Sequence, residues 1–275
     1  PRIGYWFLPA FRAMGKKKQT CTPGKLPTGI AGLDHLTGGG LLARRTTLVL
    51  GPSGSGQTLL SLQTLAGAAA RGEAGIFVSF TSSLAELDAK GAAFGWNLPV
   101  LRQRGMLWIE SPSEVKAGRI DLAGLLDSLL ERAAERPVTR IAFDSFDFPL
   151  VLIEDRLARA REIFRLRDWL FENQFTGIVT ADPRIGQFGT EQRVSLLQFL
   201  ADMTVQIDFR QFFPGGHPTR YARVVSHPAA GTDDRAYPFA IGSGGIEILS
   251  GRAKATECSG APEAISREIK VVRKK

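Results

Sequence analysis

The sequence predicts an α/β domain built on a mostly parallel sheet covered by helices on both faces, with antiparallel strands added at the C-terminal edge. Three observations carry this. Short apolar runs alternate with stretches of helical spacing, the runs are continuously apolar as in strands buried on both faces, and after about Thr204 strands follow one another without helices between them. In chain order the expected elements are a strand at Thr46–Leu50, a helix at Thr58–Ala70, a strand at Gly75–Phe80 and a helix at Leu84–Phe94. A strand at Met106–Glu110, a helix at Leu122–Glu135, a strand at Val138–Phe143, a helix at Asp155–Glu172 and a strand at Gly177–Thr180 continue the alternation. Thr204–Phe209, Tyr221–Val225 and Gly245–Leu249 then form the helix-free edge, separated by turn-rich pieces at Pro214–Pro218 and Ala229–Asp234.

The composition is that of an ordinary globular protein, with 44% hydrophobic and 23% charged residues over 275 positions. No apolar run approaches the roughly 20 residues of a membrane span. Cys21 and Cys258 have no metal-ligand or disulfide-framework spacing, and His35, His217 and His227 are scattered, so the default setting is reducing and cytoplasmic. The segment Arg2–Met14 lacks the apolar core and cleavage site of a signal peptide, and a first residue of Pro1 suggests a missing or processed start. The net charge of +8 is concentrated at the ends: residues 1–25 carry +6, residues 252–275 carry +4, and the body between them is left at −2. The expected organisation is a basic, flexible arm at 1–24, one α/β domain at 25–250, whose ligand the loop described next suggests, and a basic, flexible tail at 251–275.

The domain assignment rests on the stretch Leu48–Leu60. An apolar strand runs into Gly51, Pro52, Ser53, Gly54, Ser55 and Gly56, and then into a helix that opens with Gln57, Thr58 and Leu59. Such a turn aims several backbone N–H groups and a helix N-terminus at one point, which suits a phosphate. The pattern is the nucleotide-triphosphate loop G-x-x-x-x-G-K-[ST], with Gln57 where lysine is expected. Residues 51–59 are therefore the candidate cradle for ATP or ADP. A charge-assisted hydrogen bond contributes about 1.5–3 kcal/mol against roughly 0.5–1.5 for a neutral one. Ground-state binding through the backbone and a Thr58-bound Mg²⁺ survives this exchange better than phosphoryl transfer, where electrostatics is nearly all the protein contributes. Ile141-Ala142-Phe143-Asp144 ends a predicted strand with an acid. Asp144 joins Thr58 as the candidate Mg²⁺ pair.

These residues resemble the RecA superfamily, and more closely the KaiC-like ATPases. The lead-in Leu26-Pro27-Thr28-Gly29-Ile30-Ala31-Gly32-Leu33-Asp34 followed by Gly38-Gly39-Gly40-Leu41 is similar to the TGI-x-GLD…GGGL opening of that family. Gly75–Phe80, Phe94–Leu98, Asp144-Ser145 and Tyr237-Pro238-Phe239 fall at matching places. The resemblance covers about residues 25–250. It implies a RecA-like P-loop three-layer sandwich, ATP as ligand, and a tendency to form hexameric rings with nucleotide between subunits.

Each departure from the family pattern touches catalysis. Paired glutamates that polarise the attacking water in the family are replaced by Thr81 and Ser82, neither of which can serve as a carboxylate base. The lysine and arginine that the family supplies from a neighbouring subunit fall at Ser226 and Pro228 when counted back from Tyr237, with Arg223 or Arg235 as substitutes if insertions shift the count. Asp182 retains the acid often found after the next strand. No catalytic residue is assigned. The reading that follows is an ATP-binding protein with weakened or absent hydrolysis, a regulatory or scaffolding subunit that assembles with itself or with an active homologue. Two readings compete: a working ATPase with compensating residues, and a recombinase-like DNA-binding assembly factor whose basic arms hold the nucleic acid.

Other features carry less. In Arg156–Arg167 five arginines interleave with Glu154, Asp155, Glu162 and Asp168 around an apolar stripe of Ile163, Leu166 and Leu170, the pattern of a solvated helix with i,i+4 ion pairs rather than a nucleic-acid face. Ser145 lacks the surroundings of a nucleophile elbow. Phe212–His217 reads as a turn that packs its phenylalanines, and Lys16–Lys18 as a solubilising arm.

Overall fold

A computed structural model describes residues 24–112, 121–184, 196–210, 219–226 and 235–249. The basic arms, both cysteines, His217, His227, Pro228 and the Phe212–His217 and Ala229–Asp234 turns lie outside them. A small antiparallel pair, β1 (Lys25–Leu26) and β2 (Leu41–Leu42), brackets the short helix α1 (Ala31–Leu36). The main elements follow: β3 (Thr46–Leu50), α2 (Gln57–Ala70), β4 (Ala74–Ser79), α3 (Leu84–Ala93), α4 (Leu98–Gln103) and β5 (Leu107–Glu110). After the gap come α5 (Leu122–Glu135), β6 (Val138–Asp144), α6 (Asp147–Val151), α7 (Arg156–Glu172) and β7 (Thr176–Ala181). The chain closes with β8 (Met203–Arg210), β9 (Thr219–Ser226), β10 (Tyr237–Gly242) and β11 (Gly245–Ile248).

Nine strands form one sheet in the order β11-β10-β9-β8-β3-β7-β6-β4-β5. The six from β8 to β5 are parallel, and β9, β10 and β11 extend the sheet antiparallel beyond β8. This is the expected α/β architecture, with the loop-bearing strand β3 central between β7 and β8.

Period-two alternation divides each parallel strand between two cores. Val49, Phe77, Ala142 and Ile178 face α1 to α4 with Leu33, Leu62, Leu65, Leu87 and Leu98. Leu48, Leu50, Ile76, Val78, Phe143 and Val179 face α5 to α7 with Leu126, Leu129, Ile163, Leu166 and Leu170. Three layers result. In α7 the stripe Ile163, Leu166 and Leu170 is buried as expected. The arginines on it differ from expectation: Arg165 pairs with Glu162 at i,i+3 spacing, and Arg159 is buried, donating to the carbonyls of Ile153 and Glu154. Arg159 lies in the first turn, where the carbonyls just outside the helix are within its reach.

The glycine-rich lead-in has a packing role. A Cβ on Gly32 would lie 2.1 Å from the Ile248 carbonyl oxygen, so only glycine lets α1 meet β11. Thr28 and Asp34 tie the turn before it, through Thr28 Oγ1 and N–H donated to Asp34 Oδ1 at 2.6 and 2.8 Å. Gln63 of α2 also clasps β11, its Oε1 accepting from the Ile246 N–H at 2.7 Å and its Nε2 donating to the Ile246 carbonyl at 3.3 Å.

Candidate functional site

The C-terminal ends of β3, β7, β6 and β4 meet at one edge, where open α/β sheets carry their ligands. From β3 the chain turns through Gly51–Gly56 into α2. Gly54 and Gly56 have φ of +84 and +114, a left-handed backbone that side chains resist and that lets the loop curl over the helix N-terminus. Both ends of the loop are tied to β7. The Ala181 carbonyl accepts from the Gly51 N–H at 3.2 Å and from Gln57 Nε2 at 2.6 Å. Gln57 also reaches the Val49 carbonyl at 3.5 Å, so its amide is directed at strand-end carbonyls. Asp182 adds a further tie by accepting from the Ser53 N–H at 2.6 Å.

Thr58 and Asp144 lie side by side: Thr58 Oγ1 donates to Asp144 Oδ2 at 3.0 Å. Asp144 is completely buried, and its Oδ1 accepts from Thr180 Oγ1 at 2.9 Å. Burial pushes its carboxyl up, while the hydrogen bonds from Thr180 and Thr58 and the charge of Lys90 oppose the rise. A hydroxyl beside a buried acid is a donor set that suits a hard divalent cation, whose charge would hold Asp144 ionised. The next residue, Ser145, has φ +61, a strained setting for a non-glycine residue, and its N–H donates to Thr180 Oγ1 at 2.8 Å.

Beside Asp144, the loop after β4 holds Thr81 and Ser82. Thr81 Oγ1 donates to Ser145 Oγ at 3.2 Å, and Ser82 Oγ accepts from Lys90 Nζ at 3.2 Å. No carboxylate replaces the family's glutamates in that loop. Three residues beyond Asp144, however, Asp147 is 6% exposed, and although backbone N–H groups lie near its carboxylate none is in full hydrogen-bond geometry. Burial is the first cause that pushes it to about 7, with Asp182 and Asp144 adding repulsion, against partial relief from the backbone N–H groups of Asp147 and Asp182. Sequence reading passed over Asp147 and Lys90; the run Asp144–Asp147 held the only signal for the former.

This geometry agrees with the comparisons to known proteins. The family model for the KaiC ATPase matches residues 26–253. The circadian clock oscillator protein KaiC of Parasynechococcus marenigrum (strain WH8102) is 33% identical over 231 residues, covering 82% of this chain and 44% of that protein. The chain belongs to the KaiC ATPase family. KaiC of Thermostichus vulcanus is 31% identical over 243 residues, covering 86% of this chain and 46% of its own. The chain thus spans less than half the length of these curated relatives. A crystal structure of a KaiC-like protein from Pyrococcus horikoshii OT3 superposes with a TM-score of 0.72 at 22% identity, covering 83% of this chain and all of that one, which establishes the RecA-like fold.

For this KaiC-family chain, the remaining sequence candidates fall away from the loop or into local pairs. Arg223 of β9 holds Gln206 Oε1 through Nε and Nη2 at 3.1 and 2.7 Å, Arg235 stacks on Tyr237 at 5.7 Å, and Ser226 ends β9 opposite Thr204. A cavity of about 320 Å³ lies at the other end of the sheet between Arg44, Arg45, Arg167, Phe171 and Phe199. In the phosphate loop Ser53 and Gly54 are exposed, while Gly51, Pro52 and Ser55 are buried. Among the described residues no cluster of three or more His, Cys, Asp or Glu could hold a metal, and no helix is long and apolar enough to cross a membrane.

Proposed function

We propose that this chain is a nucleotide-binding member of the KaiC family in which ATP hydrolysis is weak or absent, serving as a regulatory or scaffolding subunit of a cytoplasmic assembly. The observation that carries the reading is Gln57: the position that normally brings a cation to the β- and γ-phosphates holds a neutral amide already engaged with the Ala181 carbonyl. The backbone N–H groups of residues 51–59 and the N-terminus of α2 remain to cradle ATP or ADP. Thr58 and Asp144 would hold Mg²⁺, which supplies charge neutralisation between the phosphates. Thr81 and Ser82 orient no attacking water as a base. A loop tip exposed at Ser53 and Gly54 in one chain suits a nucleotide sandwiched between subunits, in a ring of six copies or a mixed ring with an active homologue.

Steady-state phosphate release, with mass measurement of the assembly during nucleotide titration, tests this. Nucleotide binding that drives assembly with negligible turnover is the expected result. Turnover at roughly 1 s⁻¹ or faster, the range of working enzymes, refutes it. One observation favours a working ATPase as the second reading. Asp147 is buried close to Asp144 and its carboxyl is pushed up to about 7 by that burial, the range where a general base operates best. In that case Asp147→Asn abolishes phosphate release.

A further inference from the structure

The strand end next to Asp144 carries a charge pattern that the nucleotide reading leaves unused. Ser82 is 8% exposed and pinned on three sides: its N–H donates to Ser79 Oγ at 3.0 Å, its carbonyl accepts from Ser111 Oγ at 3.0 Å, and its Oγ accepts from Lys90 Nζ at 3.2 Å. Lys90 stands in the last turn of α3, a helix fixed at its start by the Ser83–Glu86 capping box. Among the described residues no carboxylate lies within ion-pair distance of Lys90. The Thr81 and Ser145 hydroxyls stand alongside, hydrogen-bonded to each other. Ser79 pairs in register with Asp144, and the Phe80 N–H donates to the Asp144 carbonyl at 3.2 Å, so this group adjoins the Thr58–Asp144 pair. An ammonium and three hydroxyls without a carboxylate cannot take a proton from water, but they attract a phosphoryl oxygen.

We propose that Lys90, held on Ser82 beside the Thr81 and Ser145 hydroxyls, forms an anion subsite for the terminal phosphate of a nucleoside triphosphate and makes the cleft selective for triphosphate over diphosphate. The inference rests on the nucleotide-binding reading above. In this arrangement the loop takes the inner phosphates, and the terminal phosphate, lying beyond Thr58 toward Asp144, is the one that Lys90 meets; α3 thereby supplies the cation missing at Gln57. A charge there grips the ground state and leaves the attacking water without a base, which suits a subunit that senses triphosphate rather than consumes it.

The test is calorimetric titration of the intact chain with Mg²⁺ and either ADP or a non-hydrolysable ATP analogue, in wild type, Lys90→Met, Lys90→Arg and Ser82→Ala. Lys90→Met should weaken the triphosphate about tenfold, equivalent to about 1.4 kcal/mol, and ADP less than twofold. Lys90→Arg should keep most of the selectivity, and Ser82→Ala should lose part of it because the ammonium is no longer held. Equal losses for the two nucleotides, or an unchanged ratio, overturn the subsite while leaving nucleotide binding intact. A wild type that binds neither nucleotide overturns both readings.

Discussion

Replacing Asp147 by asparagine isolates what a buried carboxyl does to this fold. Its pKa is raised from 3.8 to about 7, chiefly by burial. Between those values the folded protein keeps the proton while the unfolded chain releases it. The unfolded state then binds fewer protons, so stability falls as pH rises through this window and levels off above about 7. At about 1.4 kcal/mol per pH unit, the whole window amounts to on the order of 4 kcal/mol, and the part crossed between pH 5 and pH 8 to roughly 2–3 kcal/mol. Asparagine keeps the shape and removes the ionisation. Denaturant unfolding at pH 5 and pH 8 is the assay, with no nucleotide or Mg²⁺ present. Wild type should lose roughly 2–3 kcal/mol more than Asp147→Asn on going from pH 5 to pH 8. Asp144, raised in the same direction by burial, and Asp182 are present in both proteins, so comparing the two isolates position 147. Equal pH dependence in the two proteins would refute the reasoning.

Three further outcomes follow from the same geometry. Gln57→Lys should raise ATP affinity about tenfold in a binding titration, the difference between a charged and a neutral hydrogen bond; no change would mean that the loop does not contact phosphate. Thr180→Val removes the donor to Asp144 Oδ1 and the acceptor of the Ser145 N–H, so urea unfolding should register a loss of about 1–3 kcal/mol. Gly32→Ala forces a Cβ against the Ile248 carbonyl and should lower stability by about 1–3 kcal/mol, read as a fall in melting temperature. An unaltered melting curve would show that α1 and β11 can separate freely.

The parallel core was legible because strands buried on both faces leave continuous apolar runs, and the phosphate loop because its glycines and Thr58 sit at fixed spacing. The short helices α4 and α6 left no such trace: each has only five or six residues, too few for a helical period to stand out. The strand β10 was met only as Tyr237-Pro238-Phe239, since Pro238 obscures a run that nevertheless pairs with β9 and β11. At the site, Thr58 and Asp144 could be matched because each belongs to a local motif. Lys90 could not, because only the register of β4 on β6 brings the last turn of α3 beside Asp144. Asp147 was visible as a residue but not as a buried one; burial of α6 against β7 is a tertiary fact that raises its pKa.

The clasp of Gln63 on Ile246 has a mechanical consequence. With its side-chain amide, α2 occupies the N–H and carbonyl of Ile246 as a neighbouring strand would, so the outer strand is not open to edge-to-edge pairing at this residue. Two turns before Gln63 the same helix opens from the phosphate loop, and a Cβ placed on Gly56 would come within 4 Å of Ile241, Ile246 and Phe239, so the loop passes close to the C-terminal hairpin. The hairpin β10–β11 is thus tied to α2 at two places two turns apart, Gly56 and Gln63, so the phosphate loop and the C-terminal edge of the sheet share one support.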